Sequence, residues 1–310
     1  MNYAVIGAGA VGSFIGGLLK HAGRSVTFIA RGSHLEAMKE EGLTVERDEQ
    51  TFTVDREFSS DMHDISSADT WILGVKGTEM ASIIEKVKPY VNKDTRIITL
   101  QNGVSNEEQL SEAFGKDKIL PASAYLSAGI REPGKVAQHG PHKFHLGALD
   151  QDNNQLLENI VDEWKAAGIS CVRSEDIMAK KWEKSLWNLT FNPLSAITGG
   201  KVSDLLDDPL LRNTCDSVLK EAALISEKKG YPVSEKTVRN VFKSAETVRK
   251  HKTSMLQDFE KGKPMEVYPL CGYFVEKSKE LGIEAPVLTT LYNILEFINK
   301  ENVEKNREGR

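Results

Sequence analysis

Through the first 174 residues, short apolar runs alternate with stretches of helical spacing. Tyr3–Ile6, Val26–Ile29, Trp71–Val75 and Ile97–Leu100 are nearly unbroken blocks of large and β-branched side chains, the pattern of strands covered on both faces. Helical patterns at 10–22, 33–41, 79–88 and 105–114 separate and follow them. Alternation of this kind predicts a parallel, doubly wound α/β sheet. Runs near 118–130, 135–147 and 169–173, with a helix at 154–167, predict strands that extend the sheet. Past Ser174 the β signal fades and long helical patterns take over. Of the 24 glycines, 17 lie in residues 1–174, so the turn-rich architecture belongs to the first part. The chain is therefore expected to divide into domains 1–174 and 175–310.

The run Ala4–Leu19 has one clearly polar residue, Ser13, but five glycines interrupt it. It is also shorter than a membrane span, and no basic stretch precedes it as in a signal peptide. It reads as strand, turn and helix. With 310 residues, 40 basic and 45 acidic side chains and a net charge of −5, the chain lacks the basic surplus of a nucleic-acid binder. Residues 1–174 carry 18 basic and 24 acidic side chains and residues 175–310 carry 22 and 21, so neither half is a charged arm. The three cysteines, Cys171, Cys215 and Cys271, are widely spaced, which suits a reducing cytoplasm and suggests neither disulfides nor a zinc site. His139, His142 and His145 recur every third residue, but that spacing alternates faces in a strand and no carboxylate or cysteine lies close by. No metal site is expected.

The sharpest local signal is Gly7-Ala8-Gly9-Ala10-Val11-Gly12, placed between an apolar strand and a helix. Gly7 permits a tight turn, Gly9 lets backbone approach a diphosphate, and Gly12 permits close helix–strand packing. The helix N-terminus then faces the phosphates. Where NAD-binding proteins place an acidic residue after the second strand, Arg31 stands here, and an arginine there can pair with a 2′-phosphate. The expected cofactor is NADP(H). Lys76 and Gln101-Asn102-Gly103 follow predicted strands at their carboxyl ends, the edge where open α/β sheets bind ligands. Taken singly, each has an ordinary reading too, as a surface lysine and a turn-forming Asn-Gly.

In the second half, Lys184, Asn188 and Asn192 are spaced four apart in an otherwise apolar segment. On a helix they form one polar stripe, costly to bury unless the groups bond each other or a ligand. Asn192-Pro193 also reads as the cap and first residue of a new helix, and Pro193 implies a break or kink. Ser254 and Glu266 are not flagged by spacing alone.

Taken together, the chain resembles the ketopantoate reductase (2-dehydropantoate 2-reductase) family over nearly its full length. The resemblance rests on Gly7–Gly12, Val75-Lys76, Gln101-Asn102-Gly103, Glu132-Pro133-Gly134-Lys135-Val136, Lys184 with Asn188 and Asn192-Pro193-Leu194, and Ser254–Asp258 with Glu266, in that order. It implies an N-terminal Rossmann-type doubly wound sheet plus a C-terminal all-helical domain, and NADPH-dependent reduction of ketopantoate to pantoate in pantothenate biosynthesis. Lys184 would be the proton donor and Asn102, Asn188, Asn192 and Ser254 would bind substrate. Gly7, Ala8, Gly9, Ala10, Val11, Gly12, Arg31, Lys76, Asn102, Ala128 and Glu266 would contact the cofactor. Where the family often has an acidic residue and an asparagine, this chain has Tyr268 and Cys271. Reduction of another 2-keto acid is the alternative enzyme reading, and a non-catalytic NADP-binding sensor is the alternative outside enzymology. The expected partner is a small 2-keto acid, with no nucleic acid or membrane, and the helical domain leaves room for a homodimer.

Overall fold

The computed structural model describes residues 1–308, with side chains described through Glu304. Two compact units form, one from residues 1–102 and 106–180, the other from residues 103–105 and 181–310.

The first unit carries β1 (Asn2–Ile6), α1 (Ala10–His21), β2 (Ser25–Ile29), α2 (Gly32–Glu41), β3 (Leu43–Arg47), β4 (Gln50–Val54) and β5 (Phe58–Ser59). There follow β6 (Thr70–Leu73), α3 (Met80–Val87), β7 (Arg96–Thr99), α4 (Ser105–Phe114), β8 (Ile119–Glu132), β9 (Lys135–Leu146), α5 (Asn154–Ala166) and β10 (Cys171–Arg173). The strand order is β4-β3-β9-β8-β7-β6-β1-β2-β5, with β10 beside β9. From β5 to the start of β8 all pairings are parallel. This part is the doubly wound sheet that the alternation predicts, and its strand order reverses between β1 and β6.

The extension differs from a parallel continuation. β8 and β9 pair antiparallel, as do β3 and β4, so the whole sheet is mixed. The reversal follows from Glu132-Pro133-Gly134: Gly134 sits at φ +78°, and a two-residue connection can only return the chain antiparallel. Gly134 N–H donates to His34 Nδ1 at 3.0 Å, which docks this turn on α2. Two histidines of the triplet have structural partners. His142 Nε2 accepts from Ser170 N–H and its ring packs edge-on against Phe14, while His145 meets Tyr125. Residues on β1 alternate between two cores. Tyr3 and Val5 face a layer with Phe14, Leu18, Ile160 and Trp164, whereas Ala4 and Ile6 face one with Ile83, Val87 and Leu110.

The remaining helices are α6 (Ile177–Thr198), α7 (Val202–Asp207), α8 (Pro209–Lys228), α9 (Glu235–Thr247), α10 (Ser254–Glu260), α11 (Tyr273–Glu280) and α12 (Pro286–Glu308). The division between the units falls between Lys180 and Lys181, inside α6. Side chains set the helix starts. Asp208 accepts from Leu210 and Leu211 N–H, Ser234 from Thr237 N–H and Thr253 from Leu256 N–H. The Glu221 carboxylate accepts from Val287 and Leu288 N–H at the start of α12. Trp182 of α6 stacks on Tyr231 and meets Phe274 edge-on. No described helix is long and apolar enough to cross a membrane.

Pro193 does not break α6, which runs through it to Thr198, so Asn192 is a mid-helix residue and not the cap of a new helix. A proline inside a helix costs roughly 3 kcal/mol. Burial of Leu189, Phe191 and Leu194 around it offsets that cost.

Candidate active site

The carboxyl ends of the parallel strands are level. Ile6 lies opposite Ile29 and Leu73, and Leu73 lies opposite Thr99. One sheet edge therefore gathers the Gly7 turn, Arg31, the segment Gly74–Lys76, and Gln101-Asn102.

Three glycines interlock there. Gly7 holds φ +87°, and a side chain on it would meet Val75 Cγ1 at 2.5 Å. A Cβ on Gly12 would come within 2.6 Å of the Gly7 carbonyl, and one on Gly74 within 2.5 Å of that same oxygen. Gly9 is different: its Cβ would find only the Gly74 carbonyl, at 3.9 Å. The turn is thus closed against the sheet and open on its outer side. Helix α1 starts with no side-chain cap at Gly9 and no acidic residue in its first turn. Backbone donors at a helix start without a resident anion fit the diphosphate of a dinucleotide.

Arg31 stands at the first turn of α2 with its side chain 80% exposed, and its guanidinium pairs with Glu79. Glu79 ends the single 3-10 turn Gly77–Glu79, whose capping position is Lys76. Gln101, buried, clamps the strand ends. Its Nε2 donates to the carbonyls of Leu73 and Val75 at 2.8 and 2.9 Å, and its Oε1 accepts from Thr99 Oγ1. The clamp fixes the backbone on which Lys76 is mounted. The Asn102 carbonyl accepts from Asn106 Nδ2.

In the second unit, α6 presents Lys184, Asn188 and Asn192 as a stripe. Asn188 is 7% exposed and Asn192 1% exposed. Asn188 Nδ2 and both amide atoms of Asn192 are buried without a hydrogen-bond partner among the described residues. Such atoms are costly to leave unmade and suit a polar ligand. Burial drives the Lys184 ammonium from its ordinary range down to about 7, Lys181 pushes it the same way, and the Glu266 carboxylate opposes them. A lysine so placed is a willing proton donor near neutral pH.

Two further expected residues lie on other elements. Ser254 is exposed at the first turn of α10. Ala128 pairs with Gln138 in the β8–β9 ribbon, well beyond Pro121, where the pairing of β8 with β7 ends. Gly74, Glu79 and Lys181 were not singled out by the sequence. The available signals were a glycine closing an apolar strand, an acid three residues after Lys76, and a lysine one helical turn before Lys184.

The ketopantoate reductase PanE/ApbA family model matches residues 3–151, and the model of its C-terminal domain matches residues 176–299. The 2-dehydropantoate 2-reductase of Archaeoglobus fulgidus is 31% identical over 94% of this chain and 95% of its own. The crystal structure of a PanE/ApbA family ketopantoate reductase from Ralstonia eutropha superposes with a TM-score of 0.91 at 28% identity, covering 97% of this chain and 99% of that one. A D-mandelate dehydrogenase, solved with NADH and anilino(oxo)acetate, shares the fold with a TM-score of 0.90 at 21% identity, covering 97% of this chain and 99% of that one. Two family models in tandem, on a glycine turn followed by a lysine–asparagine helix, make this chain a member of the ketopantoate reductase family of oxidoreductases.

Proposed function

We propose that the chain reduces 2-dehydropantoate (ketopantoate) to pantoate with NADPH, a step of pantothenate biosynthesis. In this reading residues 1–174 bind the cofactor and residues 175–310 bind substrate and catalyse. The observation that carries the reading is the α6 stripe: a lysine with a depressed pKa followed by two buried asparagines whose amides have unmet hydrogen-bonding capacity.

When bound, the dinucleotide supplies the hydride that adds to the 2-keto carbon. The chain's own residues manage the charge that results. Negative charge develops on the former carbonyl oxygen, and the Lys184 ammonium stabilises it and then donates its proton. Asn188 and Asn192 offer directed amide groups without adding charge, which suits an anionic keto acid. Asn102 and Ser254 complete the proposed substrate contacts. Gly7–Gly12, Lys76, Asn102 and Ala128 are assigned to the cofactor. Glu266 is assigned there too, and its carboxylate acts on Lys184. A homodimer and a reducing cytoplasm belong to the same proposal. Exposed Leu210 and Phe297 support the first, and three buried free thiols the second.

A second reading, reduction of another 2-keto acid, is favoured by Tyr268 and Cys271, which flank Pro269 and Leu270 in a π-helical turn at Tyr268–Gly272. NADPH oxidation measured with ketopantoate, its aliphatic analogues and an aryl 2-keto acid separates the two. A clearly highest kcat/KM on ketopantoate is expected. A higher value on another acid reassigns the substrate, and cofactor binding without turnover on any acid supports the sensor.

For the cofactor, a 2′-phosphate would displace Glu79 from Arg31, exchanging one carboxylate for a more highly charged, bidentate acceptor. Arg31→Ala is expected to weaken NADPH roughly 10- to 100-fold and NADH far less, by fluorescence titration. Equal losses for both nucleotides would overturn the assignment.

A further inference from the structure

Helix α6 carries a second buried cation that the scheme above leaves unused. Lys181 lies three residues before Lys184 and is only 3% exposed. Residues three apart on a helix stand neighbouring on one face, about 5–6 Å between Cβ atoms. At about 100° per residue, Lys181, Lys184, Asn188 and Asn192 fall within roughly 80° of arc. The stripe thus begins one turn earlier than its first three members indicate. Ser185, also buried, donates from Oγ to the Lys181 carbonyl on the same side of the helix.

Burying one ammonium is expensive, and placing two like charges one turn apart in the interior is more so. Lys181 is retained beside the one lysine whose chemistry depends on how tightly it holds a proton.

We propose that Lys181 is a positioning residue for proton transfer: its ammonium, held one turn before Lys184, sets the pH range in which Lys184 keeps and releases its proton. This rests on the reading of Lys184 as the proton donor. Three influences act on Lys184: burial first, the Lys181 charge second, and the Glu266 carboxylate, from the segment after α10, in the opposite sense. Removing the Lys181 charge leaves burial and Glu266 in place, so Lys184 should hold its proton to higher pH.

The test is a pH titration of biosynthetically 13Cε-labelled lysines by NMR, on the full-length protein, with the Lys184 resonance assigned by its absence in Lys184→Arg. In the wild type it should titrate near pH 7. Lys181→Met should raise that midpoint by roughly one pH unit, and Lys181→Arg, which keeps the charge, should restore it. The alkaline limb of kcat for keto-acid reduction should move by the same amount. Should Lys181→Met fail to fold, Lys181→Gln carries the same measurement. A wild-type Lys184 that titrates as an ordinary lysine refutes the proton-donor reading itself. A low wild-type midpoint left in place by Lys181→Met or Lys181→Gln refutes the role of Lys181 alone.

Discussion

Replacing Lys184 with methionine should lower kcat for keto-acid reduction by roughly a thousandfold while cofactor affinity stays within a factor of two. General acid catalysis by a placed side chain is typically worth about 100- to 10,000-fold. Methionine preserves length and apolar packing but has no proton to give. The proposed role of this lysine also sets the expected pH profile. Reduction needs the protonated form, so with the ammonium titrating at about 7 the rate should fall tenfold per unit once pH rises past that value. Oxidation of the hydroxy acid needs the neutral amine and should rise through the same range. Steady-state kinetics of the variant, with NADPH binding measured separately, decides the matter. A methionine variant turning over at a rate close to wild type would mean that the proton comes from another group.

Asn192→Leu should separate stability from activity. Both amide atoms of Asn192 are buried without partners among the described residues, and each such group costs about 1–3 kcal/mol. Leucine repeats the γ-branched skeleton of asparagine with the same number of heavy atoms, is somewhat bulkier, and favours helix more strongly. The variant is expected to unfold at a higher denaturant concentration, by roughly 1–2 kcal/mol of stability. Its kcat/KM should fall by about a hundredfold or more through loss of substrate hydrogen bonds. Chemical denaturation and kinetics on one preparation read both quantities. A variant that is both less stable and fully active would show the amide to be structural. Stabilisation on loss of function is the mark of a residue held for a ligand.

Much of this architecture can be read from the chain because fully covered parallel strands leave unbroken apolar blocks. β1, β2, β6 and β7 are of that kind, and the glycine turn carries its geometry in its own residues. β3 and β4 escape the same reading. Thr44 and Glu46 interrupt Leu43–Arg47, and the pair is short and partly solvated, so its pattern resembles a polar loop. The continuity of α6 through Pro193 is also invisible locally, since neighbours distant in sequence hold it. In the candidate site, Lys184, Asn188 and Asn192 are legible as a stripe of fixed spacing. Lys181 is not, because nothing local distinguishes it from Lys180 until burial shows one of the two turned inward. The pairing of Arg31 with Glu79 spans 48 positions. The same is true of Gln101, whose amide bonds two carbonyls 26 and 28 positions away. No local pattern announces contacts of that range.

The Gln101 clamp bears on how such an enzyme can change over generations. Because the amide grips main-chain carbonyls at Leu73 and Val75, the platform under position 76 does not depend on which side chain position 76 carries. Lys76 and Glu79 can therefore drift, or be exchanged by design, without dismantling the strand ends that present them. Gln101 itself has no such latitude, since few side chains combine two amide donor hydrogens with an acceptor at that length. The side chain at position 76 is in this sense an interchangeable part mounted on a fixed bracket, and selection can alter one without rebuilding the other.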